Sequence, residues 1–534
     1  MQDKNKPFLV ETREGFSVQY CNKFLYSKYA PKKSILQIVQ NLNILSDTLF
    51  LCISPLLCYG VKELISKLEP NCLLLGIEID ENLKSITLKE YEKFSDQEKK
   101  LFQIPQYQEL LQLPQNITNY GFFKRVITID FSAGSQFNQA FYQELFVKTR
   151  DAVSQWWKNR ITLVKFGRKY STNLFKNLYK LTTITPLPLI SKPILICGAG
   201  ESALPVLNQI KKIEIEKRPC IICVDAELHQ LLALNITADF VVCEESQSII
   251  SRAFTGTKNN FDFLLCSVTS SPTVSRIKPE NTYFYTSLYS DTTFLSNLVH
   301  NEILPQPIAP LGSVGLVAME LALRMRANES VPIYICGLDF SFSKGNTHGI
   351  ETLHDKIRRT KNTKITSFSS FESCFNNDSI AFVNQNNQTK FSTPTLKSYA
   401  ELFIYLFSKK NNVFSVTEQG YNLNLEINTV PDCCVGDIKA ADEQSFNKSK
   451  IIKWLNQEYQ ALSELRDIFT NKISLSETDR KEKISDLLFK REYLFLHFPD
   501  GYNPNLSQGF LNRVRIEINY FLDLIQDSLE KITL

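Results

Sequence analysis

The 534-residue sequence lacks long apolar runs, long basic runs and a large excess of one charge. No stretch approaches the roughly 18 apolar residues of a membrane-spanning helix, so no membrane span is predicted. The net charge is only +4, and no Lys/Arg run is long enough to follow a phosphate backbone, so nucleic acid is not an expected partner. Residues 1–6 are polar and lack the apolar core of a secretory signal, which favours a cytoplasmic protein.

Histidine is scarce, with five residues in the chain. His348 and His354 lie close together, but no His-x-x-x-His or grouped carboxylate pattern accompanies them, so no metal site is assigned. The thirteen cysteines lie mainly in or beside strand-like apolar runs, as is typical of small core residues in a reducing compartment. Cys220 and Cys223 have redox-motif spacing, but residues three apart on a strand point to opposite faces, which suits neither a redox pair nor two metal ligands.

A strand, a glycine turn and a helix form the first candidate site. An apolar run ends before Gly198, Gly200 permits a tight turn, and Ser202 begins a segment with helical periodicity. A second apolar run ends in Asp225, which completes a βαβ unit of the kind that binds nucleotides at the carboxyl edge of its sheet. The third glycine of the dinucleotide fingerprint is missing, so a purely structural tight turn is the alternative.

A second glycine turn begins a helix at Gly312 and Ser313. Free backbone N–H groups and a hydroxyl at a helix N-terminus suit an anion such as phosphate, and the alternative is an ordinary serine cap. Further on, an apolar strand turns on Gly337 and delivers Asp339 to the carboxyl edge of the sheet, where open α/β sheets bind ligands.

The loop after Asp339 carries Thr347 and His348. A histidine on a loop is less readily explained as a core residue than one on an apolar helix face. Residues 356–391 are polar and suggest a mobile lid or an insertion. Thr393 precedes a proline-led helix and is a candidate cap.

Alternating strand and helix patterns predict an α/β fold in four parts. In the N-terminal βαβ pattern, the turn after the first strand, Ser54–Gly60, has a single glycine, so no active nucleotide site is expected there. A methyltransferase interpretation based on Glu78 is the weaker alternative. The parts are a Rossmann-like N-terminal domain (1–135), a helical connector (136–190), a central doubly wound α/β domain (191–430) and a C-terminal helical bundle (431–534).

The order of these pieces resembles the motility accessory factor (Maf) family of flagellin-modifying glycosyltransferases. The central domain of that family is shared with 6-hydroxymethylpterin diphosphokinases and is similar to one class of bacterial sialyltransferases. The matching segments, in chain order, are 27–31, 170–178, 198–204, 225–226, 238–242, 311–314, 337–340, 347–348 and, with looser spacing, 393–396.

The sequence departs from the family pattern near the first glycine turn. Glu201 replaces a proline and places a carboxylate beside the expected phosphate, where like charge is unfavourable. Ala203 is an additional residue, Leu311 replaces a glycine, and Glu244-Glu245 stands where an aspartate is common. Such changes are compatible with an altered donor or with lost catalysis.

The resemblance implies transfer of a nonulosonic acid, of the pseudaminic or legionaminic type, from a CMP-sugar to Ser/Thr of flagellin, with a role in flagellar assembly and motility. The CMP-sugar is then the donor substrate and flagellin the acceptor partner; no cofactor is firmly implied, and a divalent metal is left open. The expected catalytic residues are Asp339, His348 and Glu245. The expected nucleotide- or donor-binding residues are Gly198, Gly200, Ser202, Asp225, Gly312, Ser313, Gly337, Thr347 and Thr393.

Two other functions stay open from the sequence. One is pyrophosphoryl transfer from ATP to a pterin alcohol, with Asp225, Asp239 and Asp339 as conceivable Mg²⁺ ligands. The other is a noncatalytic, flagellin-binding or chaperone-like protein that uses its helical C-terminus as the partner surface.

Overall fold

A computed structural model describes residues 6–183, 186–305, 307–365, 378–440 and 448–533. Contacts within the chain divide it into two compact units, Met1–Thr162 and Leu163–Leu534. The finer division into four parts stays a prediction. In the described ranges, no helix is long and apolar enough to cross a membrane.

The first unit contains one antiparallel and one parallel sheet. The strands β1 (Phe8–Thr12), β2 (Gly15–Tyr20) and β3 (Lys23–Phe24) pair in that order. The parallel sheet has the order β6 (Phe102–Gln103), β5 (Leu73–Ile77), β4 (Thr48–Ile53) and β7 (Arg125–Asp130). Its helices are α1 (Lys33–Asn41), α2 (Val61–Ile65), α3 (Glu81–Tyr91), α4 (Asp96–Leu101), α5 (Tyr107–Gln112) and the first part of α6 (Gln139–Leu178).

Protein groups occupy the carboxyl edge of this parallel sheet. Glu78 is buried and accepts hydrogen bonds from Ser54 Oγ at 2.6 Å, from the backbone N–H of Asp80 at 3.0 Å and from Tyr142 Oη at 3.1 Å. Burial raises the pKa of this carboxyl group. The hydrogen-bonding capacity of Glu78 is therefore used within the protein, which argues against Glu78 as a ligand-binding group.

The second unit is built on a nine-stranded sheet in which every neighbouring pair of strands is parallel. Its strands are β9 (Ile194–Cys197), β10 (Cys220–Val224), β11 (Ala238–Cys243), β12 (Phe261–Ser267), β13 (Thr282–Ser287), β14 (Pro307–Ile308), β15 (Ile333–Cys336), β18 (Val413–Ser415) and β19 (Glu426–Ile427). Two small antiparallel pairs accompany it: β8 (Leu189–Ile190) with β20 (Ile438–Lys439), and β16 (Ile380–Val383) with β17 (Thr389–Ser392).

The strand order creates one switch point. It runs β14-β13-β12-β11-β10-β9-β15-β18-β19, so the chain builds outward from β9 on one side and resumes at β15 on the other. Open α/β sheets bind ligands at the carboxyl ends of the two strands that flank such a point. Gly198 directly follows β9 and Gly337 directly follows β15, so both glycine turns begin there.

Helices cover both faces of the large sheet. They are α7 (Ala203–Ile210), α8 (Leu228–Leu234), α9 (Thr293–His300), α10 (Val314–Met325), α11 (Leu353–Thr360), α12 (Pro394–Phe407), α13 (Lys448–Phe469), α14 (Glu477–Leu488) and α15 (Gln508–Thr533). The C-terminal helices share a buried cluster with one sheet face, and Cys223 lies in that cluster. Cys220 lies in the other cluster, with α10 and α12, as the alternation of side chains along a strand predicts.

Part of the expected lid is described. Residues 356–391 include the last part of α11, all of β16 and most of β17, and β17 is tied to the segment after Asp339 by a backbone bridge between Phe342 and Phe391. Residues 366–377 of the expected lid lie outside the described residues.

Candidate functional site

The two glycine turns at the switch point pack directly against each other. The backbone N–H of Gly198 donates to Cys336 O and that of Gly200 donates to Gly337 O, both at 2.9 Å. A Cβ on Gly198 would lie 2.3 Å from Gly337 O, and a Cβ on Gly200 would lie 2.5 Å from Asp339 Oδ2. The close approach of the two turns therefore requires both glycines, independently of any ligand.

Ser202 and Asp339 lock this arrangement. The Ser202 hydroxyl donates to Asp339 Oδ1, and the Ser202 N–H donates to Asp339 Oδ2 at 3.0 Å. The same hydroxyl accepts the N–H of Gly337 at 2.9 Å. Ser202 is 1% exposed and Asp339 7%, and burial raises the pKa of the Asp339 carboxyl group. The structure thus brings three predicted residues together, with Asp339 held by Ser202.

The start of α10 adjoins the second glycine turn. Gly312 has φ +72°, a left-handed conformation that favours glycine, and Tyr399 packs against it. A Cβ on Gly315 would lie 2.5 Å from Leu338 Cδ2, which places the first turn of α10 beside the residue before Asp339. Ser313 is the N-cap residue, but its side chain makes no capping hydrogen bond. The alternative of an ordinary serine cap is therefore wrong, and the hydroxyl is not committed to capping.

The loop that carries Thr347 and His348 lies on the first glycine turn. The backbone N–H of Gly349 donates to Ala199 O at 2.9 Å. Nδ1 of His348 lies 3.1 Å from Thr347 Oγ1, and its ring stacks on His354 with centroids 4.0 Å apart. Burial, together with His354 and Arg358, lowers the pKa of His348 to about 4. The imidazole is consequently neutral near pH 7.

Glu201 is paired with a buried cation. Lys390 Nζ lies 2.7 Å from Glu201 Oε2, and Ser343 Oγ donates to the same carboxylate oxygen at 2.5 Å. The repulsion expected between Glu201 and a bound phosphate is thus offset by a lysine on β17. Sequence reasoning missed Lys390 and Ser343, because a single lysine in a polar segment carries no local signal of burial.

Acidic residues follow the next strands of the sheet. Burial, with Glu245 and Glu244 nearby, raises the pKa of Asp225 to about 7. Tyr285 Oη donates to Glu244 Oε2 at 2.5 Å, and the Gln247 N–H donates to Glu245 Oε1 at 2.8 Å. Glu245 therefore lies near Asp225, among the acidic residues that follow β10 and β11, and not in either glycine turn.

Two further buried polar residues, Glu227 and Gln230, were not predicted. Glu227 is 0% exposed, and among the described residues neither of its carboxyl oxygens has a hydrogen-bond partner. Burial raises the pKa of its carboxyl group well above the ordinary value. Gln230 is also buried and donates through Nε2 to Ile350 O, which supports the loop from below.

Thr393 has a defined structural role. Its side chain accepts the N–H of Leu396 at 3.2 Å and caps α12, whose first residue is Pro394. The predicted cap is confirmed, while its role in donor binding stays a prediction. In the part of the chain that the structure describes, no group of three or more His, Cys, Asp or Glu side chains could hold a metal ion.

Comparisons with known proteins agree with this architecture. Residues 168–345 match the family model described as "6-hydroxymethylpterin diphosphokinase MptE-like". This segment of the chain is therefore similar to the MptE-like family. The matched range includes both glycine turns, Ser202, the start of α10 and Asp339, and it ends just before Thr347.

Two further similarities cover nearly the whole chain. An uncharacterized protein of Treponema pallidum (strain Nichols) is 28% identical over an alignment of 557 residues including gaps, which covers 97% of this chain and 95% of that protein. The Maf glycosyltransferase of Magnetospirillum magneticum AMB-1 is 13% identical, with a TM-score of 0.55 over 99% of this chain and 93% of that one. The predicted α/β fold and the resemblance of its architecture to Maf are confirmed, and the MptE-like domain lies within that fold.

Proposed function

We propose that the protein is a glycosyltransferase that moves a nonulosonic acid from its CMP-activated form to Ser or Thr hydroxyls of flagellin. One observation carries the proposal: at one switch point the start of α10, with its uncommitted Ser313 hydroxyl, packs on the second glycine turn, and the first turn packs on the second and is bonded to the loop of His348. The Maf-like fold supports the same choice. A flagellin-modifying enzyme acts inside the cell, so the proposed location is cytoplasmic.

In this proposal the CMP phosphate binds at the start of α10. The free N–H groups of the first helical turn and the Ser313 hydroxyl are donors for phosphate oxygens. As the bond between the anomeric carbon and the phosphate oxygen breaks, its electron pair leaves with CMP. Donors aimed at those oxygens stabilise the developing charge and so favour the transition state.

His348 is the proposed base. With Nδ1 donating to Thr347, Nε2 is the acceptor for the proton of the attacking hydroxyl. The acceptor oxygen forms its bond to the anomeric carbon as CMP departs, and the proton moves to Nε2. Asp339 has a structural role in this proposal: it holds the two glycine turns together, because both of its carboxylate oxygens already accept hydrogen bonds from Ser202. The space at the two turns, the start of α10 and the loop of His348 is called the crevice below.

A second candidate follows from the description of the matching family. Pyrophosphoryl transfer from ATP to a pterin alcohol would use the same helix start for a phosphate and would release AMP. The two candidates differ in the nucleotide that binds, CMP or ATP, and a titration distinguishes them.

We expect calorimetry to detect CMP binding to the wild-type protein and an affinity about tenfold lower for Ser313→Ala. A hydrogen bond to a charged group contributes about 1.5–3 kcal/mol, and about 1.4 kcal/mol corresponds to a tenfold change. Because Ser313 makes no capping bond, the alanine variant should keep the helix start intact.

Ser476→Ala is the matched control, since Ser476 caps α14 by accepting the N–H of Asp479 at 3.2 Å. That variant should lose helix stability and keep the affinity for CMP. Binding of ATP without CMP would favour pyrophosphoryl transfer. If neither nucleotide binds, the noncatalytic flagellin-binding function becomes the better explanation.

A further inference from the structure

Lys390 is a buried cation that the functional assignment has not used. It is 8% exposed, and Nζ donates to Glu201 Oε2 and to Ser343 Oγ, both at 2.7 Å. Its partners come from the first glycine turn and from the segment after the second turn, so three parts of the crevice meet at one ammonium group.

The positive charge of Lys390 offsets the carboxyl groups of Glu201 and Asp339 in the crevice. Lys390 lowers the pKa of Asp339, whereas Glu201 raises it, so both groups act electrostatically on the same buried carboxyl group. An anionic ligand entering beside Asp339 and Glu201 meets two carboxyl groups, and like charges at short range are unfavourable. A cation at this position is the physical requirement for binding a phosphate there.

A purely structural ion pair is the competing explanation. Buried ion pairs often stabilise a fold no better than apolar residues of similar volume, so burial alone does not assign a function. Lysine, however, has three N–H donors. Among the described residues Nζ has two acceptors, Glu201 and Ser343, which leaves one donor for a ligand.

We propose that Lys390 binds the phosphate group of the nucleotide in this crevice and that Glu201 is its positioning residue. The choice of CMP as the ligand rests on the proposed function, whereas the role of Lys390 applies to any phosphate-bearing ligand. The pair also explains how the chain accommodates a carboxylate at position 201: Glu201 holds Lys390 in place, and the lysine supplies the attraction that the turn would otherwise lack.

The test compares CMP with cytidine, which lacks the phosphate, for wild type and K390M. We expect the affinity for CMP to fall about tenfold or more in the variant, from loss of a charged hydrogen bond, while that for cytidine stays within about twofold. A structural defect would weaken both ligands together. K397M is the matched control, because Lys397 is a half-exposed lysine on α12 beside Glu401.

Two more variants distinguish loss of the lysine from a folding defect caused by an unpaired Glu201. K390M leaves Glu201 without its cation, so the double variant E201Q/K390M, which removes both charges, is measured beside it. It should show the same selective loss of CMP affinity. E201Q alone keeps the lysine but loses the charge that holds it in place, so its affinity for CMP should fall by less than that of K390M, while its affinity for cytidine stays within about twofold of wild type.

Inorganic pyrophosphate separates this inference from the proposed function. If wild type binds pyrophosphate in a Lys390-dependent way but does not bind CMP, the role of Lys390 stands and the CMP-sugar donor is wrong. If wild type binds CMP and both K390M variants bind it equally well, Lys390 is structural and the donor assignment stands. Equal losses of CMP and cytidine affinity, or no binding of any of these ligands by wild type, overturn the role of Lys390.

Discussion

Replacing Gly198 with alanine is expected to destabilise the second unit by about 3 kcal/mol or more and to abolish nucleotide binding. The added Cβ would lie 2.3 Å from Gly337 O and 2.5 Å from Leu338 Cδ2. The nearest atom belongs to the backbone, and two inter-turn hydrogen bonds hold that backbone in place, so the clash cannot be relieved by a side-chain rotation. Overpacking of a well-packed site costs about 1–3 kcal/mol and sometimes more.

Gly509→Ala is the matched control. Gly509 lies in α15, and a Cβ there would meet no atom within 4 Å. Alanine favours a helix by up to about 1 kcal/mol over glycine, so this variant should melt at the wild-type temperature or slightly above it. Scanning calorimetry measures both. Equal melting temperatures for Gly198→Ala and wild type would show that the two turns are not packed as described.

His348→Gln is expected to lower the rate of sugar transfer about 10²–10⁴-fold with little change in CMP affinity. Loss of a positioned general base has an effect of this size, and glutamine keeps a polar side chain at the position. The measurement is kcat/KM for transfer, with calorimetry of CMP binding on the same preparation.

The pH dependence of kcat/KM tests whether His348 acts as a neutral base. A base must be unprotonated to act, so kcat/KM should fall only as the pH drops toward the His348 pKa of about 4, well below the ordinary histidine range. In the donor complex the phosphate charge favours the imidazolium, so the acid limb of kcat should lie at higher pH. An acid limb near pH 6.5 in the free enzyme would contradict a buried, neutral His348.

His354→Gln is the control for that experiment. His354 stacks on His348 and contributes to its lowered pKa. Its removal should move the acid limb upward and leave the rate near pH 7.5 almost unchanged. A loss as large as that of His348→Gln would transfer the role of base to His354 or to the loop as a whole.

The fold was predictable because its signals are local. Apolar runs located β9 and β15, and Gly198 and Gly337 marked their carboxyl ends, whereas the pairing of the two strands at a switch point is seen only in the folded sheet. The Pro394 helix and its Thr393 cap were likewise visible in a few consecutive residues. Each of these features depends on neighbours in sequence, which a single sequence displays.

The electrostatics of the site was not predictable in the same way. Glu201 and Lys390 are 189 residues apart, and neither position indicates the other. The sequence therefore left Glu201 as an unfavourable charge, whereas the folded chain pairs it. The sequence located the tight turns at Gly198 and Gly337, but the close packing of one turn against the other depends on tertiary contacts that spacing alone does not reveal.

The N-terminal unit illustrates a related point. A single glycine in the turn at 54–60 argued against phosphate binding there, and Glu78 suggested a weak alternative. In the folded unit Glu78 is held by Ser54, Asp80 and Tyr142. The sequence identified the carboxylate at the sheet edge, but its partners come from three separate segments.

The most direct test of the central claim is to incubate the wild-type protein with CMP-activated nonulosonic acid and flagellin and to measure the intact mass of flagellin. The account predicts an increase by whole sugar residues on Ser or Thr, with one CMP released per sugar and no increase with His348→Gln. Unmodified flagellin, in a reaction where the protein binds CMP and flagellin is folded, would contradict the assignment as a flagellin glycosyltransferase.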